Sequence, residues 1–208
     1  SDEVGTGSYF GPLTTAAVYV ASDQVAQLEK LGVCDSKQLT DPQIRQLAHQ
    51  ITATCPYHVL DLAPHDYNRL IKQYNQAQLK ALCHNFVLLK VEEKIAPTKP
   101  AAVLIDQFVK PATYFKYLRG QEEILRQDVY FKEKGEGYHV AVAAASIVAR
   151  AYSLATIDRL SEAAGMTLPI GAGVKVDQIG KQLVAKGLDL DQFAKLHFAN
   201  TKRIRGVR

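Results

Sequence analysis

Four acids in this chain stand where chemistry would need them. Asp2 and Glu3 are adjacent, and a glycine-rich turn follows at once in SDEVGTGSYFGP, 1–12. Asp106 follows the apolar residues Val103, Leu104 and Ile105, which puts it at the C-terminal end of an expected strand. Acids at that end of a strand face the mouth of the sheet, where α/β folds place their sites. Glu136 sits in KGEG, 134–137, after one expected strand and before a long Ala-rich segment. Each has an ordinary alternative: Asp106 capping a turn, Glu136 in a solvated loop, Asp2 and Glu3 at an exposed strand end. Together they say more, because carboxylates meeting at one sheet edge repel unless a cation neutralises them. Hard divalent cations prefer oxygen ligands, and Mg²⁺ is commonly held by a few carboxylates plus substrate phosphate. Two such ions roughly 3.5–4 Å apart stabilise the attacking and leaving oxygens of a phosphodiester in hydrolysis. The residue types therefore point to metal-dependent cleavage of a phosphodiester.

The elements that must carry these acids are legible from pattern. Residues 2–6 read as the end of one strand and 12–21, PLTTAAVYVA, as the next, the two forming a hairpin across the glycine turn. Asp41 followed by Pro42 is a helix start, with Asp as N-cap and Pro at N1, and that helix is expected to run through Ile51. CPYHVLDLA, 55–63, alternates like a strand, and 65–73 reads as a short helix. Leu79, Leu82, Phe86 and Leu89 recur at helical spacing and predict one apolar face on a helix over 76–95. AAVLIDQF, 101–108, reads as a buried strand and 128–134 as another. A long Ala-rich helix is expected over 139–160, a further one over 176–187 stopped by Gly187, and a turn of helix within 190–197. This order predicts an α/β domain with a mixed sheet flanked by helices.

Composition bounds the rest. A length of 208 residues suits one domain with a real core. The three cysteines, Cys34, Cys55 and Cys83, form no CxxC pair, which argues against a disulfide framework or zinc site and fits a reducing, cytoplasmic setting. No run approaches roughly eighteen uninterrupted apolar residues, so neither a transmembrane helix nor a membrane partner is expected. No signal peptide opens the chain. From Lys195 onward there are five basic residues and no acid, a solvated tail or a phosphate-contacting arm.

The quoted motifs carry a resemblance. DEVGTGSYFGP, LIDQF (104–108) and KGEGYHVAVAAASIVAR (134–150) resemble the three acidic motifs of the type 2 ribonucleases H, and DSKQLT (35–40) matches a DSK segment of that family. The matches extend to KLHFANTK, 195–202. Gly5-Thr6-Gly7 in place of Gly-Arg-Gly, Glu136 in place of Asp, and KLHFANT are similar to the ribonuclease HIII branch; Gly137 departs from its usual pattern. The resemblance implies a ribonuclease H-like fold: a central five-stranded mixed sheet flanked by helices, with C-terminal helices, over residues 1–208. Members of the branch also carry an N-terminal domain like the TATA-binding protein, and such an upstream domain is expected to precede this chain.

By the same resemblance, Asp2, Glu3, Asp106 and Glu136 are the catalytic and metal-binding set for two Mg²⁺ ions (or Mn²⁺). The substrate is an RNA–DNA hybrid whose RNA strand is cut to leave 3′-hydroxyl and 5′-phosphate ends, and a monomer is the simplest state. Gly5, Thr6 and Gly7 would bring bare backbone to the sugar edge, where the 2′-hydroxyl distinguishes RNA from DNA. Lys37 is expected to meet phosphate, with Ser36 bonding nearby backbone. Lys134 would steer phosphate or balance charge, and Ser146 belongs to the substrate side, not as a nucleophile. Lys202, Arg203 and Arg205 are the candidate phosphate contacts of the tail. Tyr9 and Phe10 are expected to pack beside the turn, His84 to be structural, and His139 and His197 to lie outside the metal set. Two rival readings stay open: a ribonuclease HII-type enzyme that also cuts at single ribonucleotides, and a non-catalytic hybrid-binding module.

Overall fold

The computed structural model describes residues 1–33, 36–137 and 139–206. Asp35 of the DSK segment, Tyr138 of the third acidic motif, Cys34 and Arg208 lie outside the described residues. The backbone groups into two compact units. One comprises Ser1–Val4, Thr15–Leu60 and Gln76–Ala151; the other comprises Gly5–Thr14, Asp61–Asn75 and the chain from Tyr152 onward.

The first unit carries the strands that matter for the acids. β1 (Asp2–Val4), β2 (Leu13–Val18) and β3 (Tyr57–Leu62) form one sheet in that order, and β4 (Val103–Asp106) pairs in parallel with β5 (Val129–Lys132) in another. The expected single five-stranded sheet is thus corrected to a three-stranded and a two-stranded sheet. The reason is local: β1 meets β4 through one residue, where Ser1 N–H donates to Leu104 O at 2.7 Å and Asp106 N–H donates to Ser1 O at 3.0 Å. Those two bonds set the acid-bearing ends of β1 and β4 side by side. Val103 and Ile105 point into the core while Leu104 and Asp106 alternate away from it, the period-2 pattern of a strand. β4 and β5, being parallel, need a crossover, and α5 (Pro111–Tyr117) lies within it.

Helices line this unit. α1 (Val25–Lys30) precedes α2 (Asp41–Thr54), whose N-cap is Thr40 and not Asp41. Thr40 wins because its backbone N–H and hydroxyl both reach Gln43 Oε1, at 2.9 and 2.8 Å, which leaves Asp41 free to pair with Arg150. α4 spans Gln76–Ile95, as the spacing predicts, but its buried face is rotated: Leu79, Cys83, Val87, Leu88 and Val91 are buried while Phe86 is 41% exposed. Lys80, His84 and Asn85 are buried on that helix too, so hydropathy alone misplaces the face.

The second unit has its own core, built on Tyr9, Phe10, Leu168, Leu183, Phe193 and Ile204. It contains α3 (Pro64–Leu70), α7 (Val174–Ala185) and α8 (Ala199–Arg205). α8 occupies what reads in sequence as a basic tail, and it ends on Gly206 at φ 67°. The long helix α6 (Val140–Ala164) contributes residues to both units. By length and composition alone it could cross a membrane, yet 61% of its apolar window is buried inside the protein, as in a core helix. Cys55 and Cys83 are free thiols and buried.

Candidate active site

The ends of β1 and β4 set Asp2, Glu3 and Asp106 near one another, and the turn before α6 sets Glu136 beside Asp106. Asp2 is 4% exposed, and Glu136 is 7% exposed in a single helical turn, Gly135–Gly137. Burial drives the Asp2 carboxyl up to about 7, and the charges of Glu3 and Asp106 push the same way; bonds from Ser146 and the Glu3 N–H pull against them. Burial also raises Asp106, opposed by the Gly135 N–H at 2.8 Å and reinforced by Glu3 and Glu136. Residues 2, 3, 106 and 136 come from three separated stretches of chain; the Glu3 charge acts on both Asp2 and Asp106, and the Glu136 charge on Asp106.

The acids are held in different ways. Glu3 is flanked by two residues of α4: Lys80 Nζ pairs with Oε1, and His84 Nε2 lies 2.8 Å from Oε2. Burial works against the Glu3 charge, but His84 and Lys80 outweigh it and hold the carboxyl below its usual range. His84 is fully buried, which lowers its pKa, so the neutral ring donates Nε2–H to Glu3 and accepts from Ser1 Oγ at Nδ1, 2.8 Å away. Lys37 Nζ pairs with Glu136 Oε1, as a phosphate-seeking lysine beside an acid can. The hydrophobic spacing gives no sign of Lys80; the i, i+4 pairing of Lys80 with His84, one turn apart on the same helix face, is the signal the sequence offers.

Other expected residues take definite places. Ser146 is 2% exposed on α6, bonds Asp2, and shares a 2.8 Å hydroxyl contact with Ser36, so Ser36 reaches Asp2 only through Ser146. Arg150 binds the Ser36 carbonyl and Asp41, fixing the turn that carries Lys37. Lys134 is exposed with φ 55°, a left-handed backbone that sets up the turn ahead of Glu136. His139 accepts the Ala141 N–H at the start of α6, and His197 packs against Tyr67 and Phe198.

Within the second unit, the glycine turn closes with Ser8 N–H on Gly5 O at 3.2 Å, and Thr6 lies half-buried within it. Its two glycines differ. Gly5 has φ +97°, and an added Cβ would sit 2.1 Å from the Pro12 carbonyl oxygen; Gly7 has nothing within 4 Å of such an atom. Gly5 is therefore required by the chain's own backbone, while Gly7 is bare and exposed. Lys195 is fully buried, and its ammonium donates to the carbonyls of Gly11 and Pro12 at 2.6 and 3.1 Å. Of the tail cations, Arg203 is committed to Asp177, while Lys202 and Arg205 are exposed.

The donor set suits a hard divalent cation: every candidate ligand is a carboxylate, and Asp2 and Asp106 are raised first by burial and then by neighbouring acids, both of which a bound cation would offset. Among the described residues no group of three or more His, Cys, Asp or Glu side chains is placed so that it could hold a metal ion.

An acid-lined strand mouth on this α/β framework is the layout of a nuclease, and the sequence agrees: the chain belongs to the Ribonuclease HII family, matching it over residues 1–201. It is a ribonuclease H, and its relatives lie on the HIII side. It is 66% identical over 205 residues to the ribonuclease HIII of Limosilactobacillus fermentum, covering 99% of this chain and 68% of that one. To the ribonuclease HIII of Leuconostoc mesenteroides it is 52% identical over 205 residues, covering 98% and 68%. The crystal structure of Bst-RNase HIII in complex with Mn²⁺ matches with a TM-score of 0.95 at 45% identity, over 99% of this chain and 68% of that one. Ribonuclease H2 from Pyrococcus horikoshii OT3 shares the fold at a TM-score of 0.80 and 21% identity, over 99% and 95% of the two chains.

Proposed function

We propose that this chain hydrolyses the RNA strand of RNA–DNA hybrids endonucleolytically, leaving 5′-phosphate and 3′-hydroxyl ends, with two divalent ions, Mg²⁺ or Mn²⁺, held by Asp2, Glu3, Asp106 and Glu136. The observation that carries the reading is the gathering of carboxylates at the strand ends: Asp2 and Asp106 are each raised by burial and by neighbouring acids, and Glu136 stands beside Asp106. Bound divalent ions would supply an acidified water and neutralise the charge building on the departing 3′-oxygen. The chain's own part is to place oxygen donors. Ser146 and the Glu3 N–H orient the Asp2 carboxylate, the Gly135 N–H orients Asp106, and His84 orients Glu3. Lys37, whose side chain is 72% exposed, can leave Glu136 for a phosphate oxygen. No nucleophilic side chain is needed, and the buried Ser146 is kept for Asp2. Bare backbone at Gly7 is suited to approach a ribose edge, whose 2′-hydroxyl both donates and accepts.

The test is cleavage of a uniform hybrid, with and without Mg²⁺, by the parent and by Asp106→Asn checked for folding by circular dichroism. The reading expects product only from the parent and only with the ion. Cutting by a folded Asp106→Asn at the parent rate, or cutting in chelator, would overturn it.

A further inference from the structure

Glu3 sits in a cage that its place in a metal site does not require. Lys80 and His84 lie one turn apart on α4, and between them they take both Glu3 carboxylate oxygens. Phe108, two residues beyond Asp106, is the floor of the cage: its ring stacks on His84 at 5.2 Å with 28° between planes, and Lys80 Nζ lies 4.1 Å from its centroid. Lys80 is 8% exposed, an uncommon state for a lysine. Its burial is balanced by the carboxylate and the aromatic face. The segment that supplies Asp106 thus also positions the residues that restrain Glu3.

A fixed ammonium at this point has two opposed effects. It offsets the repulsion among the acids, so the group can persist without an ion. It also repels an incoming dication and occupies one of the oxygens that dication would use. We propose that Lys80 is the resident countercharge of Glu3: it stands in for a cation in the ion-free protein, yields Oε1 when a divalent ion binds, and so sets the ion concentration at which the enzyme works. His84 is a positioning residue that keeps Oε2 in place through the exchange. The inference rests on the reading of Glu3 as an ion ligand, given under Proposed function.

The experiment is Mn²⁺ binding to the chain by titration calorimetry, without nucleic acid, alongside thermal unfolding in EDTA and in Mn²⁺. The parent is compared with Lys80→Met, Lys80→Gln, Lys80→Arg and Glu3→Gln. Both neutral variants are expected to bind Mn²⁺ about tenfold more tightly, the scale of a like charge removed a few Å away through a partly screened medium. They should melt lower than the parent in EDTA and regain more on adding Mn²⁺. Lys80→Arg keeps the charge and should bind Mn²⁺ as the parent does. A lysine serving packing alone would instead give unchanged or weaker Mn²⁺ binding in folded Lys80→Met and Lys80→Gln, which overturns the countercharge. The Glu3→Gln arm separates the two readings. Weakened binding there with unchanged binding in the Lys80 variants sinks the countercharge alone. Parent-like binding there sinks Glu3 as a ligand, and the countercharge with it.

Discussion

Replacing Asp2 by Asn should make the ion-free protein more stable while removing its activity. In the folded chain burial lifts the Asp2 carboxyl to about 7, from an ordinary 3.8. Because the folded pKa lies above the unfolded one, the folded state holds this proton more tightly. The parent therefore loses stability as pH rises from about 4 to about 7, and above that window the loss is complete. Three units at roughly 1.4 kcal/mol each set an upper size of about 4 kcal/mol, and sharing of the repulsion with Glu3 and Asp106 brings the expectation to about 2–4 kcal/mol. Asn keeps the shape and an oxygen for the Glu3 N–H, which Asp2 Oδ1 now accepts at 2.7 Å, and its amide can donate to Ser146. Urea unfolding in EDTA at pH 4.5 and pH 8 measures the effect. The variant should match the parent within about 1 kcal/mol at pH 4.5 and exceed it by about 2–4 kcal/mol at pH 8. Saturating Mn²⁺ should erase that advantage, since the ion stabilises only a site that binds it. An Asp2→Asn variant no more stable than the parent at pH 8 would refute the claim that the Asp2 carboxyl is buried among neighbouring acids that raise it.

Four further outcomes follow from the same structure. Gly5→Ala, which drives a Cβ to 2.1 Å from the Pro12 carbonyl at a φ of +97°, should cost stability by about 2 kcal/mol or more in urea unfolding. Gly7→Val, with open space around its Cα, should melt within a few degrees of the parent yet fail to cut hybrid in a gel assay. Burial pushes Lys195 down to about 7, below its unfolded pKa, so the parent should gain stability as pH rises from about 7 to about 10. Lys195→Met should be less stable overall, with two carbonyls left without their donor, and its melting temperature should lack that rise. Neutralising the exposed Lys202 and Arg205 should flatten the salt dependence of hybrid binding, measured by fluorescence anisotropy in Ca²⁺, whereas neutralising Arg203, held by Asp177, should change that slope less.

Where side-chain type and chain position coincided, the pattern was readable. The apolar run ending in Asp106 is a strand ending in an acid, and the spacing over 76–95 is a helix of that length. What the pattern missed was polar function placed in apolar positions. Lys80 and His84 sit on the buried face of α4 because Glu3 needs them, so a count of apolar residues turned that face toward Phe86. α5 was missed because its only signals are Pro111 and a short aromatic run. α8 was missed because its basic residues, facing Asp177 and solvent, outweighed the buried Thr201 and Ile204 that dock it. The equivalence of Gly5 and Gly7 in the motif also hid a difference: one satisfies the chain's own backbone, the other leaves a surface bare.

The most direct measurement is the position of bound ions. In crystals soaked with Mn²⁺, anomalous density should appear between Asp2, Glu3, Asp106 and Glu136, and Asp106→Asn crystals should lose at least one peak. Mn²⁺ absent from that group, or bound elsewhere with the four carboxylates undisturbed, would contradict the account.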